Sequence, residues 1–362
     1  MKDLSVIGIG RLGLCFCLTL EKAGYNVVGH DINRDYIDLI NDRKFFSFEP
    51  GVNTRLKSSK NFSATMDLKK AVDHGEMIFV TVRTESEQDG KYDVSQVDAV
   101  VQSLISLGAQ KYRKHLIICS NVNPGYTDLV HKKLKGHNWD VSYNPETIAQ
   151  GTILENQEEP DCVYIGQEDD ALAADIEQAY IYMCSNLPSI HKMSRLEAEL
   201  TKVSLNCFLT CKISFANMVG DLALKMGADP ETVLQAVGSD GRIGNKFFRH
   251  GFGWGGPCFP RDTRAFIHLA KSENMPHYMC TASNESNKSH LRFQVEDFLE
   301  SGQDEYHTDS VTYKKGTVIL EESQQLKFAV ALAKRGIKVT IKESEKVMAE
   351  LKERFGDLFV YE

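Results

Sequence analysis

The sequence predicts an α/β fold: an N-terminal doubly wound parallel sheet, a central helical region with one long helix, and a small C-terminal α/β unit. Three observations predict it. A strand, a glycine-rich turn and a helix open the chain. Near-continuous apolar runs then alternate with helical stretches, and a helical apolar period persists for about thirty residues from Ser194. The expected parts are residues 1–193, 194–300 and 301–362.

Length and composition bound the answer. The 362 residues suffice for two or three domains with ample core. Apolar residues make up 42% and charged residues 25%, ordinary for a globular protein. With 42 basic against 50 acidic side chains the net charge is −8, which argues against nucleic acid or an anionic membrane as main partner. No apolar run approaches the ~20 residues that span a bilayer. The first residues enter a strand without a signal-peptide core, so a cytoplasmic setting is expected. Nine cysteines are scattered without a CxxC pair or a Cys/His cluster, indicating neither a disulfide framework nor a zinc or other metal site.

The opening strand, Leu4 to Ile7, runs into Gly8-Ile-Gly10-Arg-Leu-Gly13 and a helix reaching about Ala23; Gly24 closes it, and Asn26 to Asp31 is the next strand. This is a βαβ unit with the dinucleotide fingerprint. Gly8 makes the tight turn, Gly10 lets a pyrophosphate approach the helix N-terminus, and Gly13 allows close helix–strand packing. Asp31, 18 residues after Gly13, is placed to accept hydrogen bonds from the adenosine ribose and to repel a 2′-phosphate, so NAD is expected rather than NADP.

Glu76 to Val82, Leu116 to Ser120 and Cys162 to Gly166 read as strands buried on both faces of a parallel sheet. Helical stretches such as Val94 to Leu107 lie between them, and Glu85 to Asp93 reads as a loop at a strand's C-terminal end. Glu146 follows a weaker strand, Asp140 to Tyr143; by pattern alone it is a solvated loop acid.

Ser194-Arg-Leu-Glu197 is a capping box opening the longest helix, which carries its apolar period to Met226 before Gly227 stops it. Such length suggests a spine between domains or a dimer interface. Lys202 and Asn206 share one face; a lysine beside an apolar stripe ordinarily snorkels to water. Asp229-Pro230 caps the following helix.

Gly251 to Asp262 holds four glycines and two prolines in twelve residues, a fixed loop with one thiol, Cys258. Asp262 reads as the N-cap of the next helix, and a thiol just before a helix N-terminus is biased toward the thiolate. A buried small cysteine in a glycine turn is the plain alternative. Ser301 to Lys315 reads as a linker. Beyond it a strand (Thr317 to Leu320), a helix (Ser323 to Lys334), a strand (Ile337 to Ile341), a helix (Glu345 to Phe355) and a last strand (Leu358 to Tyr361) follow.

Taken together, these segments resemble the UDP-glucose/GDP-mannose dehydrogenase family over roughly residues 1 to 295. The resemblance rests on the GxGxxG, Glu49-Pro-Gly51, Asn144-Pro-Glu146 with Gly151-Thr152, and Glu199-Leu-Thr-Lys202 with Asn206. It rests most on Arg242-Ile-Gly-Asn-Lys-Phe247 and Gly255-Gly-Pro-Cys-Phe-Pro-Arg-Asp262, which look like the branch acting on UDP-glucose. The N-terminal sheet is then a Rossmann domain and the helical middle a dimerisation domain. The resemblance implies oxidation of a sugar C6 alcohol to a carboxylate with two NAD per sugar. Such chemistry needs a nucleophile to trap the aldehyde, a cation for the oxyanion, and a base with a positioned water.

By resemblance, Cys258 is the nucleophile, Lys202 and Asn206 stabilise oxyanions, Glu146 is the general base, and Asp262 orients the water. Arg242 reaches a partner's substrate across a homodimer, while Asn245, Phe247 and Gly255 line the UDP-sugar site. Arg11, Leu12, Thr84 and Asn121 join the three glycines and Asp31 around NAD. This overrides the snorkelling alternative for Lys202.

The chain also departs from the family. Gln150 replaces a second glutamate and Asn121 a threonine. The C-terminal domain is about half the family's length. Thr312-Tyr-Lys-Lys-Gly-Thr317 echoes its opening without the arginine; aligned instead on a strand Thr317 to Leu320, the cofactor loop is deleted. The alternatives are a dehydrogenase acting on another UDP-hexose or hexosamine, a two-electron hydroxyacid dehydrogenase with no need for Cys258, and an impaired paralogue that binds NAD and nucleotide sugar without turnover.

Overall fold

The structure, a computed structural model, describes residues 2–362. The chain falls into two compact units, one ending at Lys202 and the other spanning Val203–Glu362.

The first unit is built on an eight-stranded sheet: β1 (Asp3–Ile7), β2 (Asn26–His30), β3 (Phe62–Thr65), β4 (Met77–Val80), β5 (Lys114–Ile118), β6 (Trp139–Tyr143), β7 (Cys162–Gly166) and β8 (Ser189–Met193). Their spatial order is β8-β7-β6-β5-β4-β1-β2-β3. The order reverses between β1 and β4, the doubly wound switch point at which such sheets bind ligands beyond their C-terminal ends. β1 to β6 are parallel, and the middles of β1, β2, β4, β5 and β6 are buried on both faces, as the apolar runs require, whereas the edge strand β3 alternates buried Phe62 and Ala64 with exposed Ser63.

β7 differs from the expectation. It meets β6 antiparallel at Tyr143 and Gly166, with β8 parallel to it on the edge. Its Cys162 and Tyr164 are only partly buried while Val163 and Ile165 are core, the alternation of a strand with one covered face. Glu85 to Asp93 is not simple loop either: Glu85–Ser86 and Tyr92–Asp93 pair as a small antiparallel hairpin.

The long helix, Arg195–Lys225, has the predicted capping box: Glu197 accepts from the Ser194 N–H at 2.7 Å, and Ser194 Oγ accepts from the Glu197 N–H at 3.3 Å. By length and composition this helix could cross a bilayer, with a mean hydropathy of 1.3 over its most apolar window, contrary to the expectation that no run comes close. Its polar side chains, however, bond to protein groups: Ser214 to Trp254 and Ser283, Asn217 to Gly251. In the second unit helices Pro230–Gly238, Phe259–Ser272 and Tyr278–Glu300 follow; Asp229 caps the first, as predicted.

The tail is a three-stranded parallel sheet in the order Glu305–Thr308, Lys338–Ile341, Val360–Tyr361, packed with helices Gln324–Lys334 and Glu345–Phe355. Its first strand lies inside the expected linker, and Thr317 to Leu320 is irregular. Leu320 is buried in the tail core without strand pairing; the segment instead closes a loop through the Tyr313 N–H and the Ile319 carbonyl at 3.0 Å. Burial of these apolar residues did not require a strand. Residues 309–323 therefore form a loop between strand and helix, so the reading in which that loop is deleted is incorrect.

Candidate functional site

In the first unit the glycine turn is built as its spacing suggests. Gly8 has φ +87°, and a Cβ there would stand 2.7 Å from a methyl of Val82. A Cβ on Gly13 would lie 2.3 Å from the Gly8 carbonyl oxygen. Gly10 has nothing within 4 Å of that position: the backbone at the start of helix Arg11–Lys22 is open, as close approach of a pyrophosphate demands. Asp31 follows β2, its Oδ1 accepting from the Asn33 N–H at 3.1 Å. Thr84 is buried, and Arg11 donates to Gln150, the residue that departs from the family pattern. These residues fit NAD.

The Asn144-Pro-Glu146 segment is anchored by Asn144, whose amide donates to the Tyr164 carbonyl and accepts from the Tyr180 hydroxyl, both at 2.9 Å. Glu146 is not a solvated loop acid. Burial pushes its carboxyl up to about 7, against the opposing pull of the Gln157 amide and the Lys202 charge. Lys202 does not snorkel: it is 7% exposed, and its ammonium donates to the Glu146 carbonyl at 2.8 Å.

Two buried carboxylates hold this neighbourhood and received no role from the sequence. Glu199 accepts from the Gly125 and Thr127 N–H groups and the Thr127 hydroxyl, clamping the long helix onto the N-terminus of helix Tyr126–Leu134. Glu49 accepts from the N–H groups of Gly151 and Ile153, at 2.9 and 2.7 Å, so two of the quoted motifs meet on one side chain. The available signal was an acid inside an otherwise apolar or glycine-rich motif.

In the second unit Cys258 is itself the N-cap of helix Phe259–Ser272. Asp262 is not. The Asp262 N–H donates to the Cys258 carbonyl at 2.9 Å, the first full turn of that helix. Pro260 sits in the first turn, where a missing N–H costs nothing, so helix starts earlier than polarity suggested. Asp262 is fully buried, accepting from the Asn206 amide at 2.5 Å and from Arg261 Nε at 3.0 Å. Cys207, one turn from Cys211, is buried against the Asp262 carbonyl.

The glycine loop is pinned from several sides. Asn287 brackets Trp254 through its N–H and carbonyl, and the indole N–H donates to Ser214. A Cβ on Gly255 would stand 2.2 Å from the Glu322 carbonyl oxygen, and one on Gly256, at φ +75°, would meet the Tyr313 ring at 2.4 Å. Arg242 is 89% exposed and paired with Asp240 at 2.6 Å. Asn245 seats its carboxamide over Gly238. Phe247, half-exposed, has φ +59°, a strained conformation for a bulky residue and one that tends to collect at ligand sites.

Comparison with known proteins identifies the family. The UDP-glucose/GDP-mannose dehydrogenase family, NAD binding domain, matches residues 2–184, and the same family's central domain matches residues 196–289. A UDP-glucose 6-dehydrogenase from Haloferax volcanii is 28% identical over 98% of this chain and 86% of its own. A GDP-mannose 6-dehydrogenase from Pseudomonas aeruginosa is 27% identical over 93% of this chain and 80% of its own. The solved structure of a UDP-glucose dehydrogenase from Pyrobaculum islandicum superposes with a TM-score of 0.90 at 30% identity, covering 100% of this chain and 86% of that one.

Proposed function

The chain belongs to the UDP-glucose/GDP-mannose dehydrogenase family, NAD-binding enzymes of nucleotide sugars, and from that membership we propose that it oxidises UDP-glucose to UDP-glucuronate. The observation that carries the reading is Cys258 capping a helix whose first turn buries Asp262 against Asn206. A two-electron alcohol dehydrogenase has no use for that thiol.

Bound NAD supplies the oxidising equivalents, two electrons at each of two stages. Gly8, Gly10 and Gly13 cradle it, Asp31 takes the ribose, and Arg11, Leu12, Thr84 and Asn121 complete its contacts. The Cys258 thiolate adds to the C6 aldehyde, forming a C–S bond and a thiohemiacetal. Its oxidation leaves a thioester. Water then attacks the carbonyl, the C–S bond breaks, the thiolate returns to Cys258 and the sugar leaves as a carboxylate. Glu146 accepts the proton of that water, which its near-neutral titration suits. Lys202 and Asn206 stabilise the oxyanions. Asp262 orients the water.

Asn245, Phe247 and Gly255 contact the sugar nucleotide, with Arg242 contributed across a homodimer. The exposed stripe Phe208, Phe215, Leu222 and Met226 on one face of the long helix supports a second copy there. UDP-glucose as substrate is supported by the relatives named for it.

The test is NADH released from excess NAD and limiting UDP-glucose, with Cys258→Ser alongside. Two NADH per sugar, and a covalent sugar adduct on the serine variant, are expected. One NADH per sugar means arrest at the aldehyde. None with UDP-glucose but turnover of GDP-mannose or UDP-N-acetylmannosamine reassigns the substrate.

A further inference from the structure

Beyond these residues, the second unit gathers a carboxylate and two imidazoles from three separate segments. Asp221 lies on the long helix, His250 stands at the head of the glycine loop, and His290 lies in helix Tyr278–Glu300. Their potential ligand atoms all lie within 4.8 Å of one another. His250 Nε2 is 2.8 Å from Asp221 Oδ1, and His290 Nδ1 is 2.9 Å from both Asp221 oxygens. His290 is buried, and its Nε2 stands 2.5 Å from the Gly251 carbonyl oxygen.

Counting protons on His290 exposes a deficit of positive charge. A carbonyl oxygen only accepts, so Nε2 carries the hydrogen. In a neutral imidazole Nδ1 is then a bare lone pair, aimed at a carboxylate. One more positive centre is required beside Nδ1: a second proton or a metal ion.

The surroundings also suit a metal ion. An Nε2–H···O=C bond is the usual device that fixes the tautomer and ring orientation of a metal-binding histidine. The side chains of Asp221 and His250 are 17% and 19% exposed, which leaves a path for an ion and a water. Gly220 makes room for the imidazole, since a Cβ there would lie 2.2 Å from His250 Cδ2. Two imidazoles and one carboxylate suit zinc-class ions rather than calcium or magnesium, which take oxygen ligands.

We propose that Asp221, His250 and His290 bind one zinc-class divalent ion, through a carboxylate oxygen, Nε2 and Nδ1 respectively, with water in the fourth position. The ion ties the long helix to helix Tyr278–Glu300. Through His290 it also holds Gly251, the first residue of the loop that carries Cys258. Asn217 holds the N–H of the same residue at 3.0 Å, so the loop's origin is fixed on both sides of that peptide. This role is structural and independent of the reaction proposed above.

Full-length protein is stripped with chelator, loaded with zinc chloride, and its retained zinc and melting temperature are measured beside His250→Gln. His250 is the most exposed ligand, so its loss disturbs packing least, and circular dichroism checks that the variant folds. The comparison also subtracts zinc held by the nine cysteine thiols. Wild type is expected to retain one more equivalent than the variant and to melt higher with zinc than after chelation. The variant's affinity falls at least ~tenfold, and cobalt produces visible d–d absorption in wild type alone. Equal zinc in the two proteins, or a wild-type melting temperature indifferent to chelator and zinc, overturns the proposal and leaves a hydrogen-bonded cluster.

Discussion

The Lys202 ammonium donates to the main-chain carbonyl of Glu146 over 2.8 Å, which places a buried cation beside the one carboxyl group among the described residues whose ionisation is shifted to about 7. The Lys202 charge favours the Glu146 carboxylate. In Lys202→Met, turnover is expected to fall by roughly 10²–10³ through loss of an oxyanion partner. The acid limb of the pH–rate profile should also move to higher pH, because the carboxylate loses its counter-charge. Rates measured from pH 5 to pH 9 check both. An acid limb moved downward would separate Lys202 from the ionisation of Glu146.

Glu146 also makes folding pH-dependent. Its carboxyl titrates near 7 when folded and near 4.5 when unfolded, so between these values the native state binds more protons. Stability contributed by the protonated group is present below about 4.5 and is lost as pH rises through 7. Glu146→Gln removes this penalty. The variant should match wild type near pH 4.5 and exceed it at pH 8 by up to about 3 kcal/mol, measured by urea unfolding.

Gly10 and Gly13 should respond differently to alanine. Open space at Gly10 predicts that Gly10→Ala folds with a stability change under about 1 kcal/mol but binds NAD at least roughly tenfold more weakly, since the methyl occupies the pyrophosphate's approach. Gly13→Ala drives a methyl into the Gly8 carbonyl and should damage folding itself, by about 1–3 kcal/mol or more. Calorimetric titration with NAD, paired with thermal melts, distinguishes the two.

Asp262→Ala removes the acceptor that Asn206 and Arg261 share at a fully buried position. The expected loss is about 1–3 kcal/mol, read as a lower urea midpoint. Asp262→Asn keeps the volume and one acceptor oxygen and should lose less.

Features set by neighbours in sequence were legible in it. The capping box at Ser194 and Glu197, the Asp229 cap and the thiol at a helix start each depend on contacts spanning four residues or fewer. Local geometry encodes them, and residue type suffices to find them. Reading Asp262 as an N-cap failed at the same short range, because Pro260 starts helix sooner than polarity implies.

What the sequence by itself determined is the doubly wound class, the long helix and the set of residue types available for chemistry, because period and turn chemistry are properties of short segments. Only the tertiary structure decided the direction of Cys162–Gly166 and the choice of Glu305–Thr308 over Thr317 to Leu320 as a strand. It alone decided the burial of Lys202, the raised ionisation of Glu146, and the meeting of Asp221 with His250 and His290. Each of these depends on desolvation and pairing by segments that are distant in the chain. A lysine's water-seeking habit or an acid's ordinary ionisation holds only until another element removes the water.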